Sequence, residues 1–156
     1  MNRRSILALA GVFVLSACAG SSNMVMQPNK AAYKANAVNL VYEGATVDVE
    51  EKDVAELQKF MENEFFGGDT PFVRGEDLTV RYGFMQFDEG SQAARYFLGV
   101  VGGGEAKMIV GAEFVDNQGN VVSKIQSEGR LNGGFFGGDA GSATKLAARE
   151  IADYAK

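Results

Sequence analysis

Histidine is absent from this sequence, cysteine occurs once and proline twice. Without histidine the chain has no member of the commonest class of general base, no side chain that ordinarily titrates near neutrality, and no member of the commonest class of zinc ligand. A single cysteine, Cys18, excludes an internal disulfide framework and a thiolate metal cluster, and leaves no second thiol for nucleophilic chemistry. No run of Lys or Arg is present and the net charge is −5, so the basic footprint of a nucleic-acid binder is missing. Two prolines against 20 glycines indicate many tight turns and few rigid ones. At 156 residues there is enough chain for one domain with one core.

What is present begins with an address. Residues 1–18 read MNRRSILALAGVFVLSAC: Arg3 and Arg4, then an apolar run from Ile6 to Leu15, then Leu15-Ser16-Ala17-Cys18. The apolar run is shorter than the roughly 20 residues that span a bilayer. The segment resembles a bacterial lipoprotein signal, in which small residues precede a cysteine that is diacylglyceryl-modified, becomes the first residue after cleavage and is then N-acylated. That resemblance implies a signal peptide over 1–17 and membrane lipid as the partner of acylated Cys18. Each buried methylene contributes about 0.8 kcal/mol, so one acyl chain anchors marginally and several anchor firmly. A lone cysteine also suits an extracytoplasmic chain that avoids stray oxidation. Ala19 follows where an Asp would resemble an inner-membrane retention signal, so the expectation is an outer-membrane anchor with the domain in the periplasm. Removing Arg3 and Arg4 from 15 basic residues leaves 13 against 20 acidic, a net charge of −7. Residues 19–35 show no stable period and are expected to form, with Cys18, a flexible tether over 18–35 that lifts a single domain, 36–156, off the membrane.

Within that domain, Asn36 to Tyr42 is a β-type run. Val54, Leu57, Phe60, Met61 and Phe65 recur at helical steps after Asp48, with acidic residues in the first turns, where the helix dipole favours them. Gly67-Gly68 supplies the stop. Leu78, Val80, Tyr82 and Phe84 alternate with Thr79, Arg81 and Gly83, and Met108, Val110, Ala112 and Phe114 alternate likewise. DNQGN then turns the chain into a strand with Val121, Ser123, Ile125 and Ser127 on one face and Val122, Lys124, Gln126, Glu128 and Arg130 on the other, a hairpin. Leu146, Ala147, Ile151 and Tyr154 mark a final helix, with Asp139 or Ser142 able to cap it. The expected fold is α+β in the order β-α-β-β-β-α, a small, mainly antiparallel sheet with both helices on one face.

FFGGD occurs at 65–69 and again at 135–139, in flanks that do not match, so it is not an internal repeat. With four strands the two copies fall at opposite ends of the domain, each closing the core; a fifth strand within 93–101 would bring them together as an aromatic patch. GVVGGGEAK lacks the Gly-Lys-Ser/Thr of a phosphate loop and precedes a strand, so its glycines read as a bend or a close backbone approach. Asp48, Glu50, Glu51, Asp53 and Glu56 do not have the spacing of a calcium loop and read as a solvated helix face. Asp69 and Asp139 could pair only if their loops met, and Ser142 has no histidine to activate it. Arg95 beside Tyr96 is the strongest polar candidate for a binding site: a guanidinium next to a glycine-lined turn can hold a carboxylate or phosphate, or else pair with Asp88 or Glu89.

FMQFDEGSQAARYFLGVVGGGEAKMIVGAEFVDNQGNVVSKIQSEG looks like the lipoprotein family catalogued as domain of unknown function 4410 over roughly 36–156. Arg95-Tyr96, Gly99, Gly102, Gly104, Ala106 and Asp116 carry the resemblance; GNVV departs from it, where Gly-Lys after a Thr is expected. The family has no assigned activity, so the resemblance implies fold and location. The expectation is a non-enzymatic, membrane-anchored module for assembly or protein interaction, partnered by an envelope protein, with no cofactor, metal or nucleic acid. The alternative is a periplasmic binder of a small molecule or glycan through the Arg95 region.

Overall fold

The computed structural model describes residues 19–29, 32–88, 106–131 and 140–156. Among them are six strands and two helices: β1 (Ala19–Gln27), β2 (Ala37–Ala45), α1 (Glu51–Phe66), β3 (Val73–Arg74), β4 (Leu78–Asp88), β5 (Ala106–Asp116), β6 (Val121–Leu131) and α2 (Ala140–Ala155). The strands form one mixed sheet in the order β1-β6-β5-β4-β2-β3. β4, β5, β6 and β1 are successively antiparallel, while β2 runs parallel to both β4 and β3. The fold is α+β with both helices on one face.

The period-two runs explain the core. Leu78, Val80, Tyr82 and Phe84 of β4, Met108, Val110, Ala112 and Phe114 of β5, and Ile125 of β6 all point to the helix side. They meet Leu57, Met61 and Phe65 of α1 and Ala143, Ala147, Ala148, Ile151 and Ala152 of α2 in one cluster. The alanine-rich stripe of α2 lets that helix lie close to β6, where Gly129 stands directly beneath the Ala143 carbonyl. At the end of α1 the Gly67 amide donates to Asn63 O at 2.8 Å, and Gly68, at φ +68°, takes the left-handed turn that only glycine adopts at little cost. The first FFGGD is therefore a helix terminus, as expected. The second lies outside the described residues, and α2 begins directly after it. Gly141 lies against the carboxylate of Glu56 in the second turn of α1, whereas Phe65 stands nine residues, about 13 Å, further along that helix. The helices thus run the same way, and the start of α2 is far from the end of α1.

The expected count of four strands omits β1 and β3, and residues 19–27 are an edge strand of the domain rather than part of a flexible tether. β1 is held by its ladder to β6 and by α2: Ser21 Oγ donates to Glu150 Oε1 at 2.6 Å, and Asn23 Nδ2 donates to Glu150 O at 3.0 Å and Oε2 at 3.2 Å. At its far end Ser123 Oγ donates to Gln27 O at 2.7 Å and Gln27 Nε2 to Val121 O at 2.9 Å. Of the side chains that face the helix side from β1, Ser21 and Asn23 are polar and only Val25, opposite Ile125, is apolar, which hides the alternation that marks a half-buried strand. Ser142 lies inside α2 and does not precede it.

Candidate functional site

The helices cover one face of the sheet, and the other carries a charged row across four strands. Arg81 and Glu113 are cross-strand partners, as are Glu113 and Lys124. Arg81 Nε lies 3.5 Å from Glu43 Oε1, and Lys124 pairs with Glu113, so the row alternates acid, base, acid, base. Further along the strands Lys107 Nζ lies 3.5 Å from Glu128, which also pairs with Arg130. Glu43, Arg81, Lys124 and Arg130 are exposed, Lys107 and Glu113 partly so, and Glu128 is the most enclosed, so the exposed pairs contribute little to stability, about 0–1 kcal/mol, and chiefly set the surface charge pattern.

Beside the row two side chains are missing, at Gly83 and Gly111, and the Gly44 backbone stands over Gly83. Gly83, Gly111 and Gln126 are register partners across β4, β5 and β6, and the two glycines floor an open depression of about 450 Å³. Met85 leans across it: a Cβ added at Gly111 would meet Met85 Sδ at 2.7 Å. Met26 forms part of the opposite wall, and the Gly44–Thr46 bend of β2 closes one side, fixed by the Thr46 amide donating to Phe84 O at 2.9 Å. Met24, Met26 and Met85 are 62%, 56% and 41% exposed. Methionine is unbranched and polarisable, which suits it to contact surfaces that must adapt to what covers them.

Of the residues singled out in the sequence, Cys18, Arg95, Tyr96, Gly99, Gly102, Gly104 and Asp139 lie outside the described residues. Asp116 is described and builds the hairpin turn. Its Oδ1 accepts from the amides of Gln118 at 2.9 Å and Asn120 at 2.8 Å, and its Oδ2 accepts from Asn120 Nδ2 at 3.1 Å. Those hydrogen bonds, the Asn120 side chain first, hold its carboxyl below the usual range. Asp69 is exposed beyond the end of α1. Glu50 pairs with Lys52 at 3.0 Å, whereas Asp53, on the inward side of α1, is buried, which corrects the expectation that the whole acidic set is a solvated helix face. Among the described residues no group of three or more potential ligands is placed to hold a metal. Among them, too, no helix is long and apolar enough to cross a membrane. Sequence reading missed Met24, Met26, Met85 and the Gly83–Gly111 floor, because the residues are brought together only by the sheet register.

No family model matches the chain, and no curated protein matches it. Its fold is similar to that of PelC from Paraburkholderia phytofirmans, solved as a dodecamer in two crystal forms. One gives a TM-score of 0.56 at 15% identity, covering 88% of this chain and 97% of that one. The other, a leucine-to-methionine variant, gives 0.55 at 14% identity with the same coverage. At that identity the likeness is one of fold.

Proposed function

We propose that the chain is a lipoprotein of the bacterial envelope, acylated at Cys18 and sorted to the outer membrane, whose periplasmic domain is a non-enzymatic assembly or protein-interaction module. Its kinship would then be with the lipoproteins of domain of unknown function 4410. The observation that carries the reading is the sheet face that no described residue covers, where three exposed methionines stand beside an alternating charged row. An adaptable apolar centre with a polar margin is the usual composition of a protein contact. That similar folds are solved as dodecamers makes a second copy of this chain the first candidate to cover the face. The depression of about 450 Å³ supports a second reading, a small-molecule or glycan binder.

In-cell crosslinking of the lipidated protein, with Cys18→Ser as control, separates them. The assembly reading expects a discrete crosslinked species, a second copy or another envelope protein, that disappears in the control. A correctly fractionated protein that crosslinks to nothing, yet binds a defined glycan or metabolite saturably, would replace it with the second reading.

A further inference from the structure

The strand β1 is described from Ala19, the residue after the cysteine that the lipoprotein reading makes the anchor. Consecutive Cα atoms are about 3.8 Å apart, so no spacer separates Cys18 from residues hydrogen-bonded into the sheet. Ala19 pairs with Leu131 at the end of β6, and Leu131 pairs with Ala106 at the start of β5. Lys107, one residue further, is the partner of Asp88 at the end of β4. One rim of the sheet therefore carries the anchor, and the Asp116–Asn120 turn stands at the other. β6 spans Val121–Leu131, about 34 Å at the rise of an antiparallel strand.

From this register we propose a lipid-docking surface: the end of the sheet that carries Ala19, Lys107 and Arg130, from which 89–105 and 132–139 also continue, faces the bilayer, and the hairpin turn at Asp116 points away from it. The proposal rests on acylation of Cys18. Its occupant is the membrane surface in which the same chain is anchored, because a chain that enters the sheet one residue from its acyl groups cannot lift that rim clear. β1 does not peel off to serve as a tether, since Ser21 and Asn23 are tied to Glu150 of α2. Standing the strands on the bilayer turns the uncovered face, with Met24, Met26 and Met85, along the membrane. A neighbour anchored in the same leaflet would meet it there.

The absence of any cysteine besides Cys18 makes the test direct, since acylation consumes that thiol. Full-length lipidated protein carrying Arg130→Cys or Gln118→Cys is labelled with bimane. It is then reconstituted into phosphatidylethanolamine/phosphatidylglycerol vesicles that contain a nitroxide-headgroup lipid. The expected result is quenching several-fold stronger at position 130 than at 118. Inserting ten Gly/Ser residues between Cys18 and Ala19 should lower the quenching at 130 by at least half, with β1 and the acyl chains retained. Equal quenching at the two positions, none at 130, or quenching at 130 unchanged by the spacer would each overturn the docking. Intact mass measured on the same samples keeps the two levels apart. A protein without acyl chains overturns the lipoprotein reading, whereas an acylated protein with no positional difference overturns only the docking.

Discussion

Phe84 and Met85 are neighbours in the chain and lie on opposite faces of the sheet. Phe84 is sealed between the sheet and the helices, while Met85 lies open across a floor of glycine. The contrast extends over both faces. On the helix side the inward positions are apolar at nearly every step, and few polar groups enter: the hydroxyls of Ser123 and Tyr154 lie 2.8 Å apart, while the buried Ser127 hydroxyl has no hydrogen-bond partner among the described residues. On the other side the register places charge opposite charge and glycine opposite glycine. The first pattern specifies a core. The second is compatible with the core but not required by it, and a surface that the fold does not need is where an interaction can be built.

The comparison can be broken by substitution. The largest difference is expected between the neighbours themselves: Phe84→Ala should destabilise the domain by about 4 kcal/mol, through lost burial and the cavity left behind. Met85→Ala should cost under about 1 kcal/mol. Equal losses in denaturant titration would mean that Met85 belongs to the core. Next come two glycines. A methyl group at Gly129 runs into the backbone carbonyl of Ala143, so Gly129→Ala has to push α2 off the sheet and should cost about 2–3 kcal/mol. Gly111→Ala meets only the thioether of Met85, which swings aside, and should cost less than about 1 kcal/mol. The covered face also buries a phenol. Tyr82 is pushed up to about 12, by burial first and by the charge of Glu62 second. The folded state then keeps a proton that the unfolded state loses near pH 10, so stability present below pH 10 is lost as the pH rises towards 12. Tyr82→Phe should flatten that part of the alkaline stability profile, and an unchanged slope would place the phenol in solvent. The smallest effect belongs to the charged row: Glu113→Gln should change stability by less than about 0.5 kcal/mol, because the pair it breaks is exposed.

Most of the covered face was legible in the sequence. The alternation of β4 and β5, the Asn/Gly turn into β6 and the spacings of both helices are local patterns, and each element buries the side that its pattern marks. β1 was not legible, because two of its inward residues, Ser21 and Asn23, answer to Glu150, a partner more than a hundred residues away in sequence. Serine and asparagine at inward positions give no hydrophobic period. β3, at two residues, is too short to have one. The methionine-lined depression escaped for a related reason: Met26 sits in a segment without periodicity, and Gly83, Met85 and Gly111 gain meaning only once β4 and β5 are in register. The proposed anchor, by contrast, rests on a linear pattern at 1–18 and is read without any fold.

The measurement that tests the central claim most directly is methionine oxidation by dilute peroxide, read residue by residue by mass spectrometry. It is made on the full-length protein in detergent and again in the intact envelope. Met61 and Met108 are fully buried in the core and serve as internal controls. If the uncovered face is an interaction surface, Met24, Met26 and Met85 oxidise readily in detergent and are protected in the envelope, while Met61 and Met108 stay protected in both. Equal oxidation of Met24, Met26 and Met85 in the two settings would contradict the account, because it would leave the face uncovered where the protein works.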